Sequence, residues 1–248
     1  MMELCISGKM LILQPKTRAF EGKIDLMTDN RNFVRLMVFD EMSQCTDQEV
    51  ERLLPLVSAQ RREVALRFKF TFGRFTCLKS YIILQQLVNE VIGKSDGCWW
   101  PLQQQLREWD GEFEYNEHGK PFMRSLSGGR IEGVDFSISH CKNAIAVALS
   151  DRPVGVDVES FRHAEEALLR RTMNLEEQEQ IRTAANPAEA FTRLWTRKEA
   201  VLKLRGTGLV DNLHDVLIPT PELPPVVLDT TVNRDRQYAC SLAVGIVE

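Results

Sequence analysis

The stretch Phe191–Leu209, FTRLWTRKEAVLKLRGTGL, constrains this 248-residue chain more than any other. At about 100° per residue, Phe191, Leu194, Trp195, Val201 and Leu202 fall on one side of a helix. That helix is expected to start at Asn186 or Pro187 and to end at Gly206. Lys198 stands in the middle of the apolar side, with Glu199 and Lys203 four residues apart on its flank. Burying an unpaired charge is costly. An acid and two lysines at the edge of a core face therefore point to a place where charge is handled.

A second stretch, Arg152–Glu159 (RPVGVDVE), has the period-two pattern of a strand entered from a turn at Pro153. Val154, Val156 and Val158 face one way; Gly155, Asp157 and Glu159 face the other. Two carboxylates about 7 Å apart on one strand face repel each other unless a cation or a donor lies between them. Oxygen ligands of this kind suit Mg²⁺, which completes its shell from water and substrate phosphates.

Four segments in order carry a family resemblance: Gly119-Lys120-Pro121, Ser137-Ile138-Ser139-His140, Gly155-Val156-Asp157-Val158-Glu159, and Trp195 through Leu209. They resemble the 4′-phosphopantetheinyl transferases of the Sfp type, whose pattern is GKP, an SHS-like strand end, G-[IV]-D-[IV]-E and W-x-x-KE-[AS]-x-x-K-x-x-G-x-GL. The valine-rich acidic strand alone is weak; the long tryptophan-to-leucine block after it makes the match specific. Cys141 departs from the pattern, standing where the family has serine. The resemblance runs from Phe33 to the C-terminus. It implies an α+β fold of two similar α/β halves, a pseudo-dimer with the active site in the cleft between them. On that reading residues 1–32 are an N-terminal extension of uncertain structure, 33–150 the N-terminal half and 151–248 the C-terminal half. The first thirty residues read as a loose extension or as an added element such as a strand at Leu11–Leu13.

The implied reaction moves the 4′-phosphopantetheine arm of coenzyme A to a serine of an apo acyl or peptidyl carrier protein. It releases adenosine 3′,5′-bisphosphate, the chemistry of a holo-acyl-carrier-protein synthase. Positioning and charge neutralisation dominate phosphoryl transfer. The resemblance makes Asp157, Glu159 and Glu199 the ligands of Mg²⁺, with Mn²⁺ as an alternative. Glu199 is either a ligand or the base that takes the serine proton. Lys203 either stabilises the departing phosphate or only pairs with Glu199; Lys198 either reaches the pyrophosphate or is structural. On the coenzyme A side the resemblance names Arg61, Gly119, Lys120, Pro121, Ser139 and His140, the last at the 3′-phosphate. A further family phosphate contact falls near Cys77, where Arg74, Thr76 or Lys79 would substitute. Glu177 matches an acid near the carrier cleft or is a helix-start glutamate. Carrier proteins are acidic near their serine, and Arg170, Arg171 and Arg182 are candidates to meet them. Phe191 and Trp195 read as core; Trp99, Trp100 and Trp109 read as core or a surface groove.

Composition agrees with a packed cytoplasmic protein, and the length with the two halves that the resemblance implies suggests a monomer. A net charge of −4 gives no global basic field for nucleic acid, although Arg61, Arg62, Arg67, Lys69 and Arg74 cluster locally. Six cysteines without metal-type spacing read as reduced thiols. No apolar run of about 18 residues suggests a membrane span. A phosphate-cradling GxxxxGK[ST] loop is absent, which counts against an ordinary nucleotide phosphotransferase. A non-catalytic coenzyme A or carrier-protein binding module is the remaining rival, and it would be expected to lose an acid or lysine that this chain keeps.

Helices are expected from Thr46 or Asp47 through Leu54, from Ser58 through Phe70, over Phe75–Gly93, at Ala164–Arg171 and at Leu175–Ala184. A short one is expected to end at Trp109. The Phe75–Gly93 helix would bury Leu78, Tyr81, Ile82, Gln85 and Val88. Val134–Ser139 and Ala144–Leu149 read as a hairpin that the strand Val154–Glu159 extends into a meander.

Overall fold

The computed structural model describes residues 33–93, 100–208, 212–221 and 223–246, with backbone alone at 100 and in strands at 3–6, 9–12 and 24–25. Leu209, Leu13 and Trp99, named above, lie outside the described residues, as does the Trp100 side chain. The fold is mixed α+β. Strands β1 (Glu3–Ile6) and β2 (Lys9–Ile12) form a hairpin. A four-stranded antiparallel sheet runs β3 (Ile24–Asp25), β4 (Val34–Phe39), β8 (Ile145–Ser150), β7 (Asp135–His140). A second, three-stranded sheet runs β10 (Val226–Asn233), β11 (Tyr238–Gly245), β9 (Val154–Ser160). β5 (Trp109–Tyr115) and β6 (Pro121–Ser125) make a separate hairpin.

Alternation along the strands explains the layering. Val34, Leu36, Val38, Ala146 and Ala148 meet Val154, Val156, Val158, Tyr238, Leu242 and Val244 in a dry layer between the two sheets. On its other face the first sheet sends Met37, Ile145, Val147 and Leu149 into a core with helix α3 (Thr71–Ile92). The second sheet packs its far face on α7 (Pro187–Arg205). The order is thus helix, sheet, sheet, helix.

The expected meander is not formed. β9 pairs with β11 and leaves β8 to β4 and β7. Side chains from β7 meet the free edge of β9 instead. Asp135 Oδ2 accepts from Val154 N at 2.8 Å, Ser137 Oγ from Val156 N at 3.0 Å and Ser139 Oγ from Val158 N at 3.3 Å. Alternate polar side chains thereby satisfy an edge that a backbone ladder would otherwise have to cover.

Helix starts follow the capping residues: Thr46 for α1 (Asp47–Leu53), Ser58 for α2 (Ala59–Leu66) and Asn186 for α7 each accept from the third helical N–H. α2 ends earlier than expected. Its buried residues stop at Ala65, so nothing holds a further turn to the body, and α3 starts afresh at Thr71. Along α3, Leu84, Leu87 and Val91 are buried with Leu78, Tyr81 and Val88, whereas Ile82 and Gln85 are only half-buried. Trp109 opens β5 rather than closing α4 (Trp100–Arg107). α5 (Glu166–Thr172) and α6 (Leu175–Thr183) flank the predicted break. α7 closes on Gly206 at φ +66°, a left-handed conformation that favours glycine.

Candidate active site

β9 turns its valines to the inter-sheet layer and its Gly155, Asp157 and Glu159 toward α7. The contact at Gly155 is the tightest: a Cβ there would lie 2.0 Å from Ala200 O and 2.4 Å from Leu204 N. Glycine is what lets α7 lie on the strand. Seated this close, the helix brings Glu199 and Lys203 into a cleft of about 570 Å³ with Asp157 and Glu159. α2, α3, β5, the β5–β6 turn and β7 supply the opposite wall, including Arg61, Gly119, Pro121, Ser139 and His140.

Asp157 is buried, and its two oxygens are treated differently. Oδ1 accepts from Lys203 Nζ at 2.7 Å and from Ser139 Oγ at 2.8 Å. Oδ2 is buried with no hydrogen-bond partner. Desolvation, then the Asp157 charge, pushes the carboxyls of Glu159 and Glu199 above the usual range; Lys203 and Arg162 oppose this. Three carboxyl groups thus share the cleft, with Lys203 and Arg162 as their neighbouring cations. The residues fit a divalent cation on that ground, with a bare buried oxygen and two raised carboxyls beside it. Among the described residues no three acid, cysteine or histidine side chains already close into a metal cage. The cleft presents the donors, and Lys203 holds one oxygen of Asp157.

Ser139 differs from the expectation of a direct nucleotide contact. It lines the cleft, but its hydroxyl donates to Asp157 and accepts from β9. His140 stands exposed at the rim, edge-on to Phe72 at 5.8 Å. Desolvation at the cleft wall and then the Lys203 charge hold its imidazole below the ordinary value. Arg61 is buried between the rings of Phe113 and Tyr81, 4.0 and 5.0 Å from their centroids, and pairs with Glu112 at 3.5 Å. Its Nε has no hydrogen-bond partner.

Two predicted site residues are not in this cleft. Lys198 is fully buried on the α6 side of α7. Its ammonium donates to Glu177 Oε2 at 2.7 Å and to the carbonyls of Leu213 and Thr172 at 2.8 and 3.0 Å. Lys198 is thus a structural staple and does not reach a pyrophosphate in the cleft, because adjacent residues on a helix point about 100° apart. Glu177 is its partner and also closes the capping box of α6. The Lys120 ammonium lies 2.5 Å from Asp135 Oδ2 and donates to Leu204 O at 2.9 Å. It clasps the β5–β6 turn to the end of α7 and borders an adjoining cleft of about 250 Å³ instead of the larger one.

The structure adds residues to the cleft that the sequence assigns mainly to the core. Phe68, Tyr81, Phe113 and Tyr115 make an aromatic wall. Trp195 packs against the core beside α7 and also lines the cleft, stacked on Phe191 at 6.1 Å with Arg162 5.3 Å above its ring. Near Cys77, Thr76 lines the cleft with its hydroxyl on Phe72 O at 2.9 Å. Arg74 is turned to Phe68 O at 2.9 Å and Lys79 to the Phe39 ring at 4.2 Å. Their signal was weak because apolar and aromatic residues at helical spacing read first as core. Arg170 and Arg182, the predicted carrier contacts, share Glu166 at 3.0 and 2.7 Å.

Carboxylates with a lysine line one wall, and a buried arginine with a rim histidine lines the other, an arrangement whose chemistry suits phosphate groups. Residues 153–243 match the profile of the 4′-phosphopantetheinyl transferase superfamily. The chain is 29% identical to the 4′-phosphopantetheinyl transferase psf-1 of Bacillus pumilus, over 77% of this chain and 81% of that protein. It is 27% identical to the 4′-phosphopantetheinyl transferase HetI of Nostoc, over 84% and 81%. It is 24% identical to the 4′-phosphopantetheinyl transferase Sfp of Bacillus subtilis, over 66% of each. Over residues 153–243 the chain matches that superfamily, and along most of its length it is similar to these transferases.

Proposed function

We propose that this protein transfers the 4′-phosphopantetheine arm of coenzyme A to a serine of an acyl or peptidyl carrier protein. The observation that carries this reading is the buried, unpartnered oxygen of Asp157 in a cleft shared with Glu159, Glu199 and Lys203. Asp157, Glu159 and Glu199 are the residues that would hold Mg²⁺, which when bound neutralises charge on the pyrophosphate. The serine hydroxyl attacks the phosphorus that bears pantetheine, and the bond to the leaving adenosine bisphosphate breaks. Glu199 is either the third of those ligands or, left off the ion, the base that accepts the serine proton. Lys203 is a charged donor for phosphate oxygens. Arg61 and His140 on the facing wall bind the nucleotide phosphates, and Gly119 with Pro121 borders the nucleotide.

We further propose two similar halves, 33–150 and 151–248, with the site between them. A long helix on an antiparallel sheet in each half supports this: α3 with β4-β8-β7, and α7 with β10-β11-β9. Both halves on one chain favour a monomer. Among the described residues no helix is long and apolar enough to cross a membrane. The free thiols of Cys45, Cys77, Cys141 and Cys240 fit the cytoplasm.

The test is intact mass of an apo carrier protein after incubation with this protein, coenzyme A and Mg²⁺. A gain of one phosphopantetheine that needs the metal and vanishes with Glu199→Ala is expected. Coenzyme A binding without transfer to several unrelated carriers would favour a binding module.

A further inference from the structure

The sequence around the end of α2 reads R-F-K-F-T-F-G-R-F from Arg67 to Phe75. Within seven residues it exposes four large apolar side chains: Leu66 at 52%, Phe68 at 45%, Phe70 at 71% and Phe72 at 38%. Such a cluster is unusual on a water-facing surface, because each ring could bury its area elsewhere. The junction is nonetheless firmly built. Phe68 N donates to Ala65 O at 3.2 Å, and Arg74 Nε reaches Phe68 O at 2.9 Å. Thr71 Oγ1 ties the start of α3 to Asp47 at 2.5 Å. The Phe68 ring lies against Gly73, where an added Cβ would come within 2.7 Å of it. The rings are therefore presented to solvent by an ordered turn.

Charge singles out the same place. Residues 61–74 hold five basic side chains and one acid in a chain of net charge −4. Arg62, Arg67 and Lys69 are exposed, and Lys69 Nζ stands 5.4 Å over the Phe70 ring. The patch is also continuous with the active cleft, since Phe68 lines it and Phe72 touches His140 at its rim. A macromolecule whose serine must enter the cleft has to cover the surface at its mouth.

We infer that this aromatic and basic junction between α2 and α3 is the docking surface for the carrier protein. The inference rests on the transfer reaction proposed above. The occupant is an acidic, helical carrier domain. Apolar surface beside its serine packs on Phe68 and Phe70, and its carboxylates meet Arg62, Arg67 and Lys69. The site is distinct from the Arg170–Arg182 surface, where Glu166 already compensates two of the arginines.

Phe70→Ser and Lys69→Glu test it, since neither residue lines the cleft. Phe70 is the N-cap of α3 and makes no capping bond, so serine there suits the helix start and the fold is retained. Expected for each variant is a rise of about tenfold in KM for apo acyl carrier protein, with kcat and the KM for coenzyme A unchanged. Fluorescence anisotropy of labelled apo carrier should weaken in parallel, and Lys69→Glu should flatten the salt dependence of wild-type kcat/KM. Normal transfer with carrier KM unchanged in both variants would overturn the docking surface and leave the reaction standing. Absence of coenzyme A binding and of transfer in the wild-type protein would overturn the reaction, and the docking surface with it. Sedimentation with phosphatidylglycerol vesicles that Phe70→Ser abolishes, while carrier KM stays unchanged, would assign the patch to a lipid surface instead.

Discussion

The hydroxyl of Ser139 donates to Asp157 Oδ1 and accepts from the Val158 N–H, so one atom holds both the carboxylate and the strand that carries it. Lys203 takes the same carboxylate oxygen, which leaves Oδ2 as the bare donor. A hydrogen bond to a charged group contributes roughly 1.5–3 kcal/mol. Ser139→Ala is therefore expected to weaken Mn²⁺ binding about tenfold, read by electron paramagnetic resonance without substrate, and Ser139→Thr to restore it. Equal affinity in all three proteins would show that the hydroxyl does not orient Asp157. The sequence placed Ser139 at the site through its motif. Only the structure shows it turned to the carboxylate, because orientation across two strands is set by which edge of β9 lies free.

Between elements, the position of α7 on β9 decides whether four charged side chains share a cleft. Gly155→Ala would drive a methyl into the Ala200 carbonyl, and helix backbone cannot rotate aside as a side chain can. We expect a loss of about 1–3 kcal/mol in urea unfolding and a fall in kcat greater than that instability explains at 20 °C. Full activity would mean that the helix moves without disturbing Glu199. On the other side of α7, removing one partner of a buried pair leaves an uncompensated charge, typically costing about 3–5 kcal/mol. Lys198→Met should lower stability on that scale. The double change Lys198→Met with Glu177→Leu should recover part of it, while the KM for coenzyme A stays near wild type. A rise in that KM without loss of stability would return Lys198 to the cleft. The apolar face of the helix and its caps were legible from spacing. Which of its two charged edges faces substrate was not, since both lie beside the same hydrophobic stripe.

For the whole molecule, the two sheets meet through valines and alanines in the middle and through side chains at the edge. Asp135, Ser137 and Ser139 reach across to β9, and Lys120 joins Asp135 to the end of α7. Lys120 is thus a clasp between parts of the chain that are far apart in sequence. Lys120→Met is expected to lower the unfolding midpoint and to separate the transitions seen by tryptophan fluorescence and by circular dichroism. Coenzyme A affinity should change less than threefold. A large loss of affinity with a single unchanged transition would make Lys120 a nucleotide ligand. Desolvation raises the Asp135 carboxyl above its usual range in spite of the lysine.

By itself the sequence determined the helix caps, the face of β9 that carries Asp157 and Glu159, the i, i+4 placement of Glu199 and Lys203, and the motif order that carries the family resemblance. These are local properties, decided by periodicities of 2 and 3.6 residues and by side chains that cap their own helices. The tertiary structure decided the partners. It gave β9 to β11, took Lys198 and Lys120 out of the larger cleft, brought Trp195 into it and left the Phe68–Phe72 junction bare. Those outcomes depend on which surfaces meet after several elements compete for the same apolar area and the same unpaired backbone edge. That competition has no signature in the spacing of any single segment.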